Sequence, residues 1–146
     1  MRMIRELDQA DVAQVYAIEC ENFSQPWTRQ ALLGEIASER SHYLVALDDD
    51  EIIGYIGFWK IFDEGHITNV AVKKSFHNKG VGSQLVEGML ALGHGLGIDR
   101  YTLEVRVGNH PAIALYRKYN FENAGIRKGF YDLPKEDAMI MWREPT

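Results

Sequence analysis

The stretch "NVAVKKSFHNKGVGSQLVEGML", Asn69 to Leu90, constrains the fold most tightly. It opens as an alternating apolar run, the period of a strand with one buried face. It then passes through Lys73, Lys74, His77, Asn78 and Lys79 and turns at Gly80-Val81-Gly82. Val81, Leu85, Val86, Met89 and Leu90 follow at helical spacing. A strand that feeds a helix through two glycines is the junction of a chain that layers helices on a sheet.

The flanking sequence extends that pattern. "RMIREL" reads as a first strand. "DQADVAQVYAIECENF" reads as a helix with Asp8 or Asp11 at its start and Val12, Val15, Tyr16 and Cys20 as its apolar stripe. "SQPW" breaks it, and Thr28 can cap a second helix, "RQALLGEIAS". "SHYLVALDDDEIIGYIGFWKIF" reads as a hairpin bent at Asp48 to Asp50, and "HITNVAV" as the next strand. "GHGLG", Gly93 to Gly97, reads as a helix C-cap and turn. "YTLEVRV" is a strand, "HPAIALYRKYN" a helix with proline in its first turn, and "FENAGIRKGFY" and "DAMIMW" are closing strands. The order is βααβββαβαββ, a mixed, twisted sheet flanked by helices, in the α/β (α+β) class. The length of 146 residues fits a single domain spanning 1–146.

Composition narrows the function. A formal charge of −5 argues against a nucleic-acid partner and permits a cationic one such as a basic peptide. "IIGYIGFW", Ile52 to Trp59, is too short to span a bilayer, so no membrane partner is expected. Cys20 is the sole cysteine, which excludes an internal disulfide. Together with an N-terminus lacking a signal-peptide core, this points to the cytoplasm. Cys20 is expected to be a packing thiol. The five histidines show no metal-ligand pairing at short helical spacing, and no metal is expected.

A helix start with glycines is suited to anions, because its first N–H groups lack partners and the dipole is positive there. A pyrophosphate would fit at Gly80 to Gly82, with Lys73, Lys74 and Lys79 nearby. A tight turn with solvated lysines would use the same residues. The dinucleotide fingerprint fails because Leu85 stands where a third glycine is needed, and the P-loop fails because Lys79 precedes Gly80. Along "TLEVR", Leu103 and Val105 point one way and Thr102, Glu104 and Arg106 the other. Glu104 is then either a functional carboxylate or one on a solvated or Arg-paired face. Tyr116 is either a core tyrosine or a functional hydroxyl, and Asn109 can cap the helix that bears it.

The glycine turn, "LEVRVGN" and "AIALY" together resemble the GNAT superfamily of acetyl-CoA-dependent N-acetyltransferases, over nearly the whole chain. "PWT", "TNVAV", "LEVRVGNHPAIALYRKYNF" and "FYDLPKEDAMIM" are most similar to its bacterial ribosomal-protein-alanine N-acetyltransferases of the RimI type. The resemblance implies the GNAT fold and acetyl-CoA as cosubstrate. The pyrophosphate loop would be His77, Asn78, Lys79, Gly80, Val81 and Gly82, with His77 where the family has Gln or Arg. Backbone groups of Val70 and Val72 would hold the pantetheine arm, and Asn109 would join the donor site. Glu104 would be the general base and Tyr116 the proton donor to the leaving thiolate. Pro26, Trp27, Phe130 and Tyr131 would line a peptide groove, with core packing the alternative for Trp27 and Phe130. The implied acceptor is a protein N-terminus, that of an alanine-starting ribosomal protein. A small-molecule amine acceptor, or a non-catalytic acyl-CoA-binding module, would share the fold. The pairing of Glu104 with Tyr116 speaks against the module.

Overall fold

The computed structural model describes residues 2–145. The chain runs β1 (Arg2–Glu6), α1 (Val12–Asn22), α2 (Arg29–Ala37), β2 (Ser41–Asp48), β3 (Glu51–Ile61), β4 (Glu64–Val72), α3 (Val81–Gly95), β5 (Arg100–Arg106), α4 (His110–Lys118), β6 (Glu122–Asp132) and β7 (Lys135–Arg143). This is the order expected from the sequence. Short 3-10 turns at Gln9–Asp11 and Lys74–Phe76 precede α1 and α3.

The seven strands form one sheet in the order β1-β2-β3-β4-β5-β7-β6. All neighbours are antiparallel except β4 and β5. That parallel pair is brief: Glu64–His66 face Arg100–Thr102, and the pairing stops. β4 continues to Val72 and β5 to Arg106, so the two strands part into a V. The cause is local. Against β3, Gly57 faces Asn69 and Phe58 faces Ile67, which leaves Thr68 as an extra residue. Such a bulge bends its strand and sharpens its twist.

Side-chain alternation gives the sheet two apolar faces. One packs Leu44, Ile56, Phe58, Leu103 and Val105 under Val81, Leu85 and Met89 of α3 and Ile113 of α4. The other packs Val45, Leu47, Ile52, Tyr55 and Ala71 under Val12, Val15 and Ile18 of α1 and Leu32 of α2. Caps fix where the helices begin. Thr28 accepts the Ala31 N–H (3.0 Å) at α2, and Asn109 accepts the Ala112 N–H (3.3 Å) at α4. Asp8 caps the turn before α1, where Asp11 returns the bond to the Asp8 N–H (2.7 Å) and pairs with Arg5 (2.7 Å).

Two expectations are corrected. The buried stripe of α1 is Val12, Val15, Ile18 and Glu19, so Cys20 falls outside it and is exposed instead of packed. Gly93 and Gly95 lie inside α3, which ends at Gly95 with Leu96 as its C-cap and Gly97 (φ +81°) as the left-handed residue beyond it. Gly93 serves packing: a Cβ there would stand 1.7 Å from the Tyr101 hydroxyl oxygen.

Candidate active site

The parted strands open a cavity of about 560 Å³. Ile67 to Val70 of β4 form one side and Leu103 to Arg106 of β5 the other. Glu19, Asn22 and the α1–α2 loop close one end. Asn109, Ala112 and Tyr116 lie on the α4 side, and Tyr131 and Pro134 come from the β6–β7 hairpin. β6 reaches over the cavity because it is bulged as well. Arg127 faces Ala138 and Tyr131 faces Glu136, so three residues of β6 oppose Asp137 alone. Gly129 takes φ +63° in that bulge, and its N–H donates to Asp137 Oδ1 (2.8 Å).

Glu104 is exposed to this space and has no hydrogen bond or ion pair among the described residues. The Arg106 partner that the strand pattern allowed it is engaged elsewhere. Arg106 pairs with Glu136 (3.3 Å), donates to the carbonyls of Pro134 (2.7 Å) and Leu133 (3.1 Å), and stacks on the Tyr131 ring (4.2 Å). It thereby fastens the hairpin turn and aims Tyr131 at the cavity. Burial, and then the Glu104 charge, raise the Tyr131 hydroxyl above its ordinary pKa.

Tyr116 is 3% exposed, with its ring packed on Phe121 (centroids 5.5 Å apart). Its hydroxyl has no hydrogen-bond partner among the described residues, unusual for a buried tyrosine. Burial, with a smaller contribution from Tyr131, holds it well above the usual tyrosine range. It therefore carries its proton at any physiological pH. A partnerless carboxylate and a partnerless, firmly protonated hydroxyl thus line one cavity. Such groups are suited to taking up and giving up a proton.

The glycine loop lies at the α3 end. Asn78 (φ +62°) and Gly80 (φ +80°) are left-handed, which reverses the chain sharply into the helix. Among the described residues no side chain caps α3, so its first N–H groups remain available to an anion. Nothing lies within 4 Å of where a Gly80 Cβ would be. The loop therefore has both the donors and the room for a pyrophosphate. Gly82 has a second duty, since a Cβ there would meet Leu115 Cδ2 at 3.0 Å. Val81 is buried, so only its backbone faces the loop. His77 turns back to donate from Nε2 to the Val72 carbonyl (2.8 Å), which also accepts from Asn22 (3.1 Å). Lys79 lies over the Phe76 ring (5.4 Å).

Among the residues expected at the peptide groove, Trp27 and Tyr131 line the cavity. Pro26 is only partly buried, and Phe130 stands 41% exposed against Tyr131. Asn109 lines the cavity, while its side chain caps α4. The sequence reading passed over Glu19, which is 2% exposed and lines the cavity. It accepts hydrogen bonds from the Tyr55 hydroxyl and from the Trp27 N–H (3.0 Å). Its signal was a carboxylate four residues after Val15, on the buried stripe. Among the described residues there is no group of three or more His, Cys, Asp or Glu side chains that could hold a metal, and no helix is long and apolar enough to cross a membrane.

Comparison with known proteins agrees with this geometry. Residues 12–121 match the model of the acetyltransferase (GNAT) family, and the chain belongs to that family. It is an acetyl-CoA-dependent N-acetyltransferase. It is 38% identical over 140 residues to a putative ribosomal protein bS18-alanine N-acetyltransferase of Bacillus subtilis, covering 95% of this chain and 93% of that one. It is 32% identical over 143 residues to the bS18-alanine N-acetyltransferase of Salmonella typhimurium, covering 97% and 96%. The crystal structure of the ribosomal-protein-S18-alanine N-acetyltransferase from Escherichia coli superposes with a TM-score of 0.93 at 28% identity, over 100% of this chain and 95% of that one.

Proposed function

We propose that this chain, acting as a single domain, acetylates the N-terminal α-amino group of a protein, and that its acceptor is a ribosomal protein beginning with alanine. The observation that carries this reading is the cavity between β4 and β5, which Glu104 and Tyr116, each without a partner among the described residues, both line beside loops that could receive a chain end. The relatives named for bS18-alanine acetylation, matched nearly end to end, support the same acceptor.

Acetyl-CoA supplies an acetyl group activated as a thioester. The loop from His77 to Gly82 would receive its pyrophosphate on backbone N–H groups, and β4 at Val70 its pantetheine arm. Val72 would contribute less, because its carbonyl already accepts two bonds. An α-amino group has a pKa of about 7.7–8.0, so at neutral pH it arrives mostly protonated and cannot attack. Glu104, with no competing partner, takes that proton, directly or through water. Tyr116 delivers its own proton to the departing sulfur, where negative charge develops. Trp27 and Tyr131 flank the first acceptor residues.

The test is purified enzyme with acetyl-CoA and a panel of peptides and small amines, read by mass spectrometry. Acetylation of alanine-starting peptides at the α-amine is the expected result. Acetylation of small amines with every peptide unmodified would refute it.

A further inference from the structure

The mechanism leaves a buried carboxylate of the cavity lining unused. Glu19 sits in the last turns of α1, 2% exposed, with no cationic partner among the described residues. Its partners are two neutral donors, the Tyr55 hydroxyl and the Trp27 N–H (3.0 Å). A buried carboxylate with only neutral partners is costly. Glutamine would keep a hydrogen bond to each partner without burying a charge, its oxygen accepting from the Trp27 N–H and its amide donating to the Tyr55 oxygen, which reverses the second bond. The charge itself therefore calls for an explanation, and the cavity offers one.

Three charged side chains line that cavity: Glu19, Glu104 and Arg106. Arg106 is already neutralised by Glu136 (3.3 Å) and held by the Leu133 and Pro134 carbonyls. The two carboxylates face the space uncompensated, Glu19 from the side of α1 and β4 and Glu104 from β5. Such a cavity attracts a cation. An N-terminal acceptor brings one, its α-ammonium.

We propose that Glu19 is an acceptor-binding residue whose carboxylate holds the α-ammonium of the incoming chain end before Glu104 removes a proton from it. This rests on the acceptor reading given above. The two carboxylates divide the work by their surroundings. Both Glu19 oxygens already accept hydrogen bonds, which fix that carboxylate in place, whereas Glu104 makes none among the described residues. Glu19 therefore serves as a fixed negative charge toward the ammonium, and Glu104 as the group that takes its proton. Acetylation then abolishes the positive charge, so the product amide loses this hold, which favours its release.

The test compares an alanine-starting peptide with its desamino analogue, in which hydrogen replaces the ammonium. Binding to the enzyme–coenzyme A complex is measured by calorimetry, beside steady-state kinetics. Wild type should bind the amine peptide about tenfold or more tightly than the analogue, the scale of one charge-assisted hydrogen bond. Glu19→Gln can still bond both partners, with the Tyr55 bond reversed, so the variant should fold with acetyl-CoA affinity near wild type. Its preference for the amine should fall toward one, with the peptide KM raised about tenfold and the loss lying in KM more than in kcat. A Gln variant with unchanged KM and preference, beside a wild type active on peptides, would reduce Glu19 to a strut for Trp27 and overturn this inference alone. A wild-type preference near one would also overturn it, whether or not the variant folds. A wild type that modifies no peptide overturns the acceptor reading, and this inference with it.

Discussion

Replacing Tyr116 by phenylalanine removes one oxygen from a site where its energetic and chemical roles can be separated. The ring is 3% exposed and packs on Phe121 with 5.5 Å between centroids. Phenylalanine keeps that packing. Removing a buried hydroxyl usually strands its partner, at about 1–3 kcal/mol. Here no partner exists among the described residues, so nothing is stranded, and the fold should lose less than about 1 kcal/mol. For a chain of this size that is a melting shift within about 4 °C. The kinetic cost is of another order. A positioned general acid contributes on the order of 10²–10⁴ in rate, and burial keeps this hydroxyl protonated throughout the assay range. Single-turnover acetyl transfer should therefore fall at least a hundredfold, while acetyl-CoA affinity and the melting temperature stay near wild type. A variant that melts several degrees lower yet transfers acetyl at the normal rate would refute this reasoning and return Tyr116 to core packing.

Three further outcomes follow from the geometry. Glu104→Gln deletes a carboxylate that supports no internal contact, so the transfer rate should fall on the order of 10²–10⁴-fold at neutral pH with the melting temperature unchanged; a normal rate under chemistry-limited conditions would remove it as the base. Gly82→Ala places a methyl group in the glycine loop and against the movable tip of Leu115, and calorimetry should show weaker coenzyme A binding in a folded protein; unchanged affinity would exclude that loop from the donor site. Asp11→Ala strips the acceptor from the Asp8 N–H (2.7 Å) and the Arg5 guanidinium (2.7 Å), and denaturant melts should show a loss of about 1–3 kcal/mol. The Arg5 hydrogen bond holds the Asp11 carboxyl below its ordinary value of 3.8, so this stability is complete above that pH and is lost as pH falls through the lowered folded-state value. The gap between wild type and variant should therefore close in acid.

Much of this was legible in the residues. Period-2 and period-3.6 patterns gave the element order, because each strand and helix buries one side and its apolar residues must recur at that spacing. The loop from His77 to Gly82 stood out because its glycines break those periods; Glu104 and Tyr116 keep them, and only the family resemblance singled them out. Glu19 was missed because it keeps the period: in α1 it occupies the place of an apolar residue, and the stripe was phased one position late, onto Cys20. The bulge at Thr68 was also invisible. Whether Thr68 pairs depends on its register with β3, a contact between distant segments. The roles of Arg106 and Glu136 had the same origin, since they meet only when β5 and β7 pair.

That bulge bears on the chemistry more than any single side chain does. Along β5, strict alternation sends Leu103 and Val105 to the face covered by α3 and α4, and Glu104 and Arg106 to the opposite face, which α1 and α2 cover at the neighbouring strands. Tyr116, on α4, belongs to the first face. In a closed sheet the paired backbones of β4 and β5 would separate the carboxylate from the hydroxyl. The bulge ends that pairing after Glu64–His66, and the two faces communicate through the gap. In the proposed reaction the amine is deprotonated on the Glu104 side and the sulfur is protonated on the Tyr116 side. A thioester lying in the gap would then be approached from one face of the sheet and released toward the other. In that reading, what lets acid and base act on one thioester is an unpaired strand segment, and a single extra residue in β4 supplies it.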